Sequence, residues 1–210
     1  DRTVIMSAVR QANAVDGKDA VALIISSAPV ALNRLFSQHT VERDYLAKIF
    51  LIKAFAEQAG QFGYGNHWVI EIDNKVAAIG CGWQFDMGET YVQATLESMT
   101  RYYQGTDVLE VLHRCQALQQ VFARPGVDEM CVGHIGVADE FQRQGLCSQL
   151  LAHFESLAKA NNKQALTLDV KQDNLAAIHC YQRFGFKVVR TTQDASPMSL
   201  GIYVHMRKML

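Results

Sequence analysis

The chain has 210 residues, 49% of them hydrophobic and 20% charged, an ordinary globular composition with enough apolar mass for one domain. A formal net charge of −1 gives no electrostatic case for nucleic acid or an anionic membrane as partner. Five cysteines without Cys-x-x-Cys spacing read as reduced thiols of a cytoplasmic protein, and seven scattered histidines without a His-x-x-x-His pair argue against a zinc site.

The N-terminus carries no signal-peptide pattern. Thr3 to Met6 with Val9 is β-rich and predicts the first strand. Asp16 is placed to cap a helix over Ala20 to Ser27. Pro29 breaks that helix and starts a second short one through Phe36. The uncharged run from Ala20 to Asn33 is too short to span a bilayer and contains Ser26, Ser27 and Pro29. Thr40 is placed as the cap of a third helix, with Tyr45, Ile49, Ile52 and Ala56 on its apolar face and Gly60 at its end. Gly60, Gly63 and Gly65 crowd a loop that is no dinucleotide fingerprint, because no strand-to-helix turn surrounds it. His67 to Ile72 and Val76 to Trp83 form a hairpin across Asp73, Asn74 and Lys75.

Residues 86–128 break the pattern with two helices. Val92, Leu96, Met99 and Tyr103 share one apolar face; Val108, Leu112, Cys115 and Phe122 share another, after a Thr106 cap. Pro125 and Gly126 close the pair. Met130 to Val137 is the next strand, ending in Ile135, Gly136 and Val137. A loop over Ala138 to Phe141 leads to Gln142-Arg143-Gln144-Gly145-Leu146-Cys147-Ser148, and Leu146, Leu150, Leu151, Phe154, Leu157 and Ala158 then recur at helical spacing. This strand, tight loop and helix make an anion site: the first N–H groups lack intrahelical partners and the peptide dipoles add positive charge there. Gly145 lets the backbone approach a ligand with no Cβ in the way. Gln164 to Val170 is a strand, Asn174 to Phe184 a helix capped by Asn174 and ended by Gly185, Lys187 to Thr191 a strand and Ile202 to Lys208 the last strand. The alternation argues an α/β (α+β) domain over residues 1–210.

Two motifs carry a resemblance. Gln142-x-x-Gly145-x-Cys147 resembles the Gln/Arg-x-x-Gly-x-Gly/Ala signature of the GNAT superfamily of acyl-CoA-dependent N-acyltransferases, with Cys147 departing from the usual Gly or Ala. Asn174-x-x-Ala177-x-x-x-Tyr181-x-x-x-Gly185-Phe186 resembles a second motif of the same superfamily. The resemblance implies the GNAT fold: a mixed central sheet splayed between its two central strands and flanked by helices, here with the 86–128 helical hairpin inserted before the coenzyme-binding strand. It implies acetyl-CoA as cosubstrate and no metal, with Ile135, Gly136 and Val137 along the pantetheine arm. Gln142 to Ser148 then hold the pyrophosphate, and Asn174 contacts coenzyme A. The implied reaction is acyl transfer to a primary amine of a small molecule or peptide, with Val137 N–H polarising the thioester carbonyl and Tyr181 as general acid for the leaving thiolate.

The base is less well marked. His134 has a suitable pKa range, but bases in relatives tend to share the face of Ile135, and strand alternation puts His134 on the other face unless a bulge at Gly133 reverses it. Glu71, Glu129 and Asp139 are weaker candidates. The competing reading is a non-catalytic acyl-CoA-binding sensor. The hairpin reads equally as a wall over the acceptor site or as packing and a homodimer surface.

Overall fold

The computed structural model describes residues 8–37, 46–122 and 124–210. The expectations for Thr3 to Met6, Thr40 and Tyr45 lie outside them.

The first described strand, β1 (Val9–Gln11), leads through a short 3-10 turn into α1 (Gly17–Ser27). Asp16 stands at the N-cap of α1 but does not cap it. Its carboxylate instead takes both guanidinium nitrogens of Arg10 at 2.9 Å and the N–H of Asn13 at 2.8 Å. A bidentate ion pair outweighs a single cap bond for the same oxygens. Proline at its start makes α2 (Pro29–Leu35) a separate helix, as predicted.

In α3 (Leu46–Phe55) the face that periodicity selected is the wrong one. Ile49 and Ile52 are 42% and 40% exposed, while Ala47, Phe50, Leu51, Ala54 and Phe55 are buried. The helix is apolar nearly all round, so its own sequence does not choose a face. Phe50 decides it by packing against Phe36 at 4.6 Å and Tyr103 at 5.3 Å between ring centroids.

The strands β2 (His67–Ile72) and β3 (Lys75–Gln84) form the expected hairpin. Asp73 and Asn74 adopt φ of 51° and 61°, the left-handed pair that matches the twist of a two-residue turn. Between β3 and β4 (Glu129–Val137) lie α4 (Glu89–Tyr102) and α5 (Thr106–Leu118). Thr106 does not cap α5; Gly105, at φ 57°, holds the N-cap position without a side chain. On α4, Met99 is buried and Tyr103 follows it inward, but Val92 and Leu96 stay exposed.

After β4 come α6 (Leu146–Ala160), β5 (Ala165–Lys171), α7 (Leu175–Phe184), β6 (Lys187–Gln193) and β7 (Ile202–Met209). The seven strands form one mixed sheet in the order β1-β2-β3-β4-β5-β7-β6. Every neighbouring pair is antiparallel except β4 and β5. Those two are paired only over Glu129–Cys131 against Ala165–Thr167. Beyond Cys131 and Thr167 they separate, so the sheet opens into a cleft at the C-terminal ends of its two parallel strands. Ligands of α/β sheets bind at such an end.

Each face of the sheet has its own core. On one, α6 and α7 pack Leu146, Leu150, Phe154 and Tyr181 against Ile70, Ala78, Val132 and Leu168. On the other, α1 to α5 pack against Val69, Ile79 and Tyr203. Among the described residues no helix is long and apolar enough to cross a membrane.

Candidate active site

The cleft is lined on one side by the end of β4. Ala138 N–H donates to Ala77 of β3 at 2.9 Å. Strand N–H groups alternate between edges, so Val137 N–H faces the opposite edge, into the cleft. Gly136 has a packing reason to be glycine: a Cβ there would lie 2.4 Å from the carbonyl oxygen of Leu23 in α1. Its absence lets α1 seat directly on β4.

The loop after β4 delivers α6 to the mouth of the cleft. Gln142, Arg143, Gln144, Gly145 and Ser148 are exposed, and Leu146 anchors the first turn in the core. Arg143 (φ 60°) and Gly145 (φ 81°) turn the chain in the left-handed region, and α6 starts with no side-chain cap. A Cβ on Gly145 would meet nothing within 4 Å. Its glycine is thus required by backbone conformation, not by crowding within the chain. An uncapped helix start on an open loop fits a pyrophosphate. Cys147, half-buried, lies beside Cys180 of α7, and the interaction of the two thiols pulls the Cys180 pKa down and pushes that of Cys147 up.

The α7 helix is bounded as its sequence predicts. Asn174 Oδ1 accepts the N–H of Ala177 at 3.3 Å. Gly185, at φ 112°, ends the helix with paired bonds from Gly185 N–H to Gln182 and Phe186 N–H to Tyr181. Tyr181 is buried on the inner face, edge-on to Phe186 at 6.0 Å. Burial, then the neighbouring Cys147 and Cys180, hold its phenol well above the ordinary pKa. At neutral pH it is a proton donor.

His134 sits on a bulge. From Gly133 to Gly136, β4 takes three steps while β3 takes two, from Ile79 to Cys81. The bulge does not bring His134 to the face of Ile135. Ile135 lies by Phe154 at Gly80, on the α6 face. His134, at φ 51°, turns its ring to the other face, parallel to Phe62 at 5.5 Å and edge-on to Trp83 at 5.1 Å. Burial, then the nearby His67, hold its pKa well below the ordinary value, so the imidazole is neutral.

The weaker base candidates are engaged elsewhere. Glu71 pairs with Arg10 at 2.6 Å, Glu129 with Arg207 at 2.8 Å, and Asp139 accepts Gln142 Nε2 at 3.0 Å. Two groups escaped the sequence reading. His67 bonds His134, with 3.0 Å between Nε2 and Nδ1. On the β5 side, His205 Nδ1 contacts Asp169 and its Nε2 lies 2.8 Å from Thr192 Oγ1. Asp169 alternates with Leu168 and Val170, which face α6 and α7, so it lies on the face of His134. Neither group has a spacing signal, since strand register alone joins its members.

The model of the Acetyltransferase (GNAT) family matches residues 36–186. The chain belongs to the GNAT acetyltransferase family. It is therefore an acyltransferase, and the GNAT fold accounts for the splayed sheet. Members of the family use acetyl-CoA. A GNAT relative, the [ribosomal protein bS18]-alanine N-acetyltransferase of Salmonella typhimurium, is 32% identical over 75 residues, 36% of this chain. The match spans about half of that relative, 51% of its length. Among solved structures, an acetyltransferase superposes with a TM-score of 0.68 at 26% identity, covering 97% of this chain and 99% of the other. An N-acetyltransferase from Staphylococcus aureus Mu50 superposes with a TM-score of 0.67 at 17% identity, over 95% and 99% of the two chains.

Proposed function

We propose that the chain acetylates a primary amine, with a peptide N-terminus as the foremost acceptor class, by direct attack on acetyl-CoA in a ternary complex. The observation that carries this reading is the cleft between β4 and β5. Its free β4 edge leads into the uncapped start of α6, and the buried Tyr181 packs in the same core cluster as Leu146 of that helix and Ile135 and Val137 of that strand. The likeness to an alanine N-acetyltransferase supports the peptide acceptor over a small amine.

Acetyl-CoA lies with its pyrophosphate on the N–H groups of Arg143 to Ser148 and its pantetheine arm along Ile135 to Val137. Asn174 spends its side-chain oxygen on the cap of α7, so its part in coenzyme binding falls to its remaining amide group. Val137 N–H polarises the thioester carbonyl. The amine loses its proton to His134 as it attacks, and the tetrahedral intermediate collapses. Tyr181 protonates the departing thiolate. Base and acid stand on opposite faces of the sheet, which suits a reaction that joins an acceptor on one side to a leaving group on the other. The hairpin of α4 and α5, on the face of His134, is the wall that shapes acceptor choice.

A thiol-release assay with acetyl-CoA against amines, polyamines, amino acids and peptides tests the reading. Turnover is expected first with peptides beginning in alanine. Tight acetyl-CoA binding with no thiol release from any acceptor would favour a sensor over an enzyme.

A further inference from the structure

We propose that His67 is a positioning residue for His134, fixing the proton on His134 Nδ1 and leaving Nε2 as the basic nitrogen. This rests on the reading of His134 as the base.

Gly63 O lies 2.8 Å from His67 Nδ1. A carbonyl only accepts, so Nδ1 carries the proton. A neutral imidazole has one N–H, so His67 Nε2 is an acceptor. It is 3.0 Å from His134 Nδ1, which must therefore donate. A neutral His134 then has its lone pair on Nε2. Both rings are held neutral by burial, His67 down to about 4 and His134 well below its ordinary value.

The ring geometry agrees. The planes of His67 and His134 differ by 10° and their centroids are 5.3 Å apart. That separation exceeds the 3.0 Å nitrogen contact by little more than the two ring radii. The rings therefore meet edge to edge in one plane, with a lone pair aimed along an N–H. Cys81 Sγ and the two ring nitrogens lie within 4.8 Å of one another, a set that could hold a metal ion. Two nitrogens pointing at each other with a proton between them leave no room for one, so the hydrogen bond is the better account.

The support of His67 is rigid. It has no exposed surface, and its ring packs on Phe55 at 5.5 Å. Its carbonyl partner sits in the glycine-rich loop, where a Cβ on Gly63 would lie 2.4 Å from the oxygen of Ala59. Only glycine closes that loop and presents its carbonyl to His67. The bulge and positive φ of His134 complete the alignment from the β4 side.

The test uses the full chain and two substitutions with opposite expectations. His67→Phe keeps a ring and removes the acceptor; kcat should fall about tenfold or more, with the acetyl-CoA KM within about threefold. His67→Gln restores an acceptor oxygen near the position of Nε2 and should recover most of the loss. Long-range ¹H–¹⁵N NMR should show a bare Nε2 on His134 in the parent and a tautomer mixture in His67→Phe. A parent spectrum with the His134 proton on Nε2 overturns the inference. If His134→Gln turns over slowly but His67→Phe matches the parent, His134 stands as base and only the positioning role falls. If His134→Gln matches the parent, the base reading falls and takes the role of His67 with it. Should His67→Phe fail to fold, the parent spectrum and the kcat of His67→Asn, which keeps the bond to Gly63 and loses the acceptor, decide the matter.

Discussion

Acidification between pH 7 and pH 5 should destabilise this fold through His67 before any carboxylate responds. Burial lowers the His67 pKa from 6.5 to about 4, against a smaller opposing effect of its bond to Gly63. Below pH 6.5 the unfolded chain holds a proton there, and the folded chain does not until about pH 4, so acid favours unfolding. Each pKa unit of difference between the two states is worth about 1.4 kcal/mol. The full effect is then about 3 kcal/mol, with about 2 kcal/mol already lost at pH 5. His134 is displaced in the same direction and adds to the loss. Asp16 and Asp194 are depressed carboxylates, whose stabilisation is lost only as pH falls through and below the ordinary carboxylate range. The window from pH 7 to pH 5 therefore isolates histidine. Urea unfolding at pH 7.5, 6 and 5 reads the effect directly. The parent's midpoint should fall steadily, with the slope m unchanged, and His67→Gln should fall less. A parent midpoint that is level from pH 7.5 to pH 5, or a His67→Gln curve parallel to the parent's, would mean that His67 is not the group through which acid destabilises the fold.

Tyr181→Phe keeps the packed ring and deletes the hydroxyl proposed as the acid, so kcat should drop by about 10²–10⁴-fold, while the acetyl-CoA Kd changes by less than about threefold, since one hydrogen bond is worth only ~1 kcal/mol net. Turnover at the parent rate with chemistry rate-limiting would make Tyr181 a core residue only. Gly145→Val puts a branched side chain at φ 81° into the proposed pyrophosphate site; calorimetry should show coenzyme A binding at least about tenfold weaker, or about 1.4 kcal/mol. Unchanged affinity in the folded variant would remove the loop from the site. Gly136→Ala drives a methyl group into the Leu23 carbonyl of α1 and should cost about 1–3 kcal/mol by urea unfolding. A neutral result would mean that α1 shifts freely on β4.

Local chemistry made much of this protein readable in advance. The α7 helix carries its own boundaries in Asn174 and Gly185, which act through bonds to residues at most five positions away. The Asp73–Asn74 turn and the uncapped start of α6 after Gly145 are equally local. A motif whose parts lie within one turn or helix needs no tertiary information to be recognised. The rest depended on which distant strand lies beside which. His67 and His134 are 67 positions apart, and they meet because β2, β3 and β4 pair in one register with one extra residue at His134. The Asp169–His205–Thr192 group is likewise assembled from three strands. The inward face of α3 followed the same rule: an almost wholly apolar helix fits several orientations, and the aromatic partners around Phe50 select one. Sequence periodicity places side chains on faces within an element. Close packing between elements then decides which face turns inward and which pairs of polar groups share a hydrogen bond.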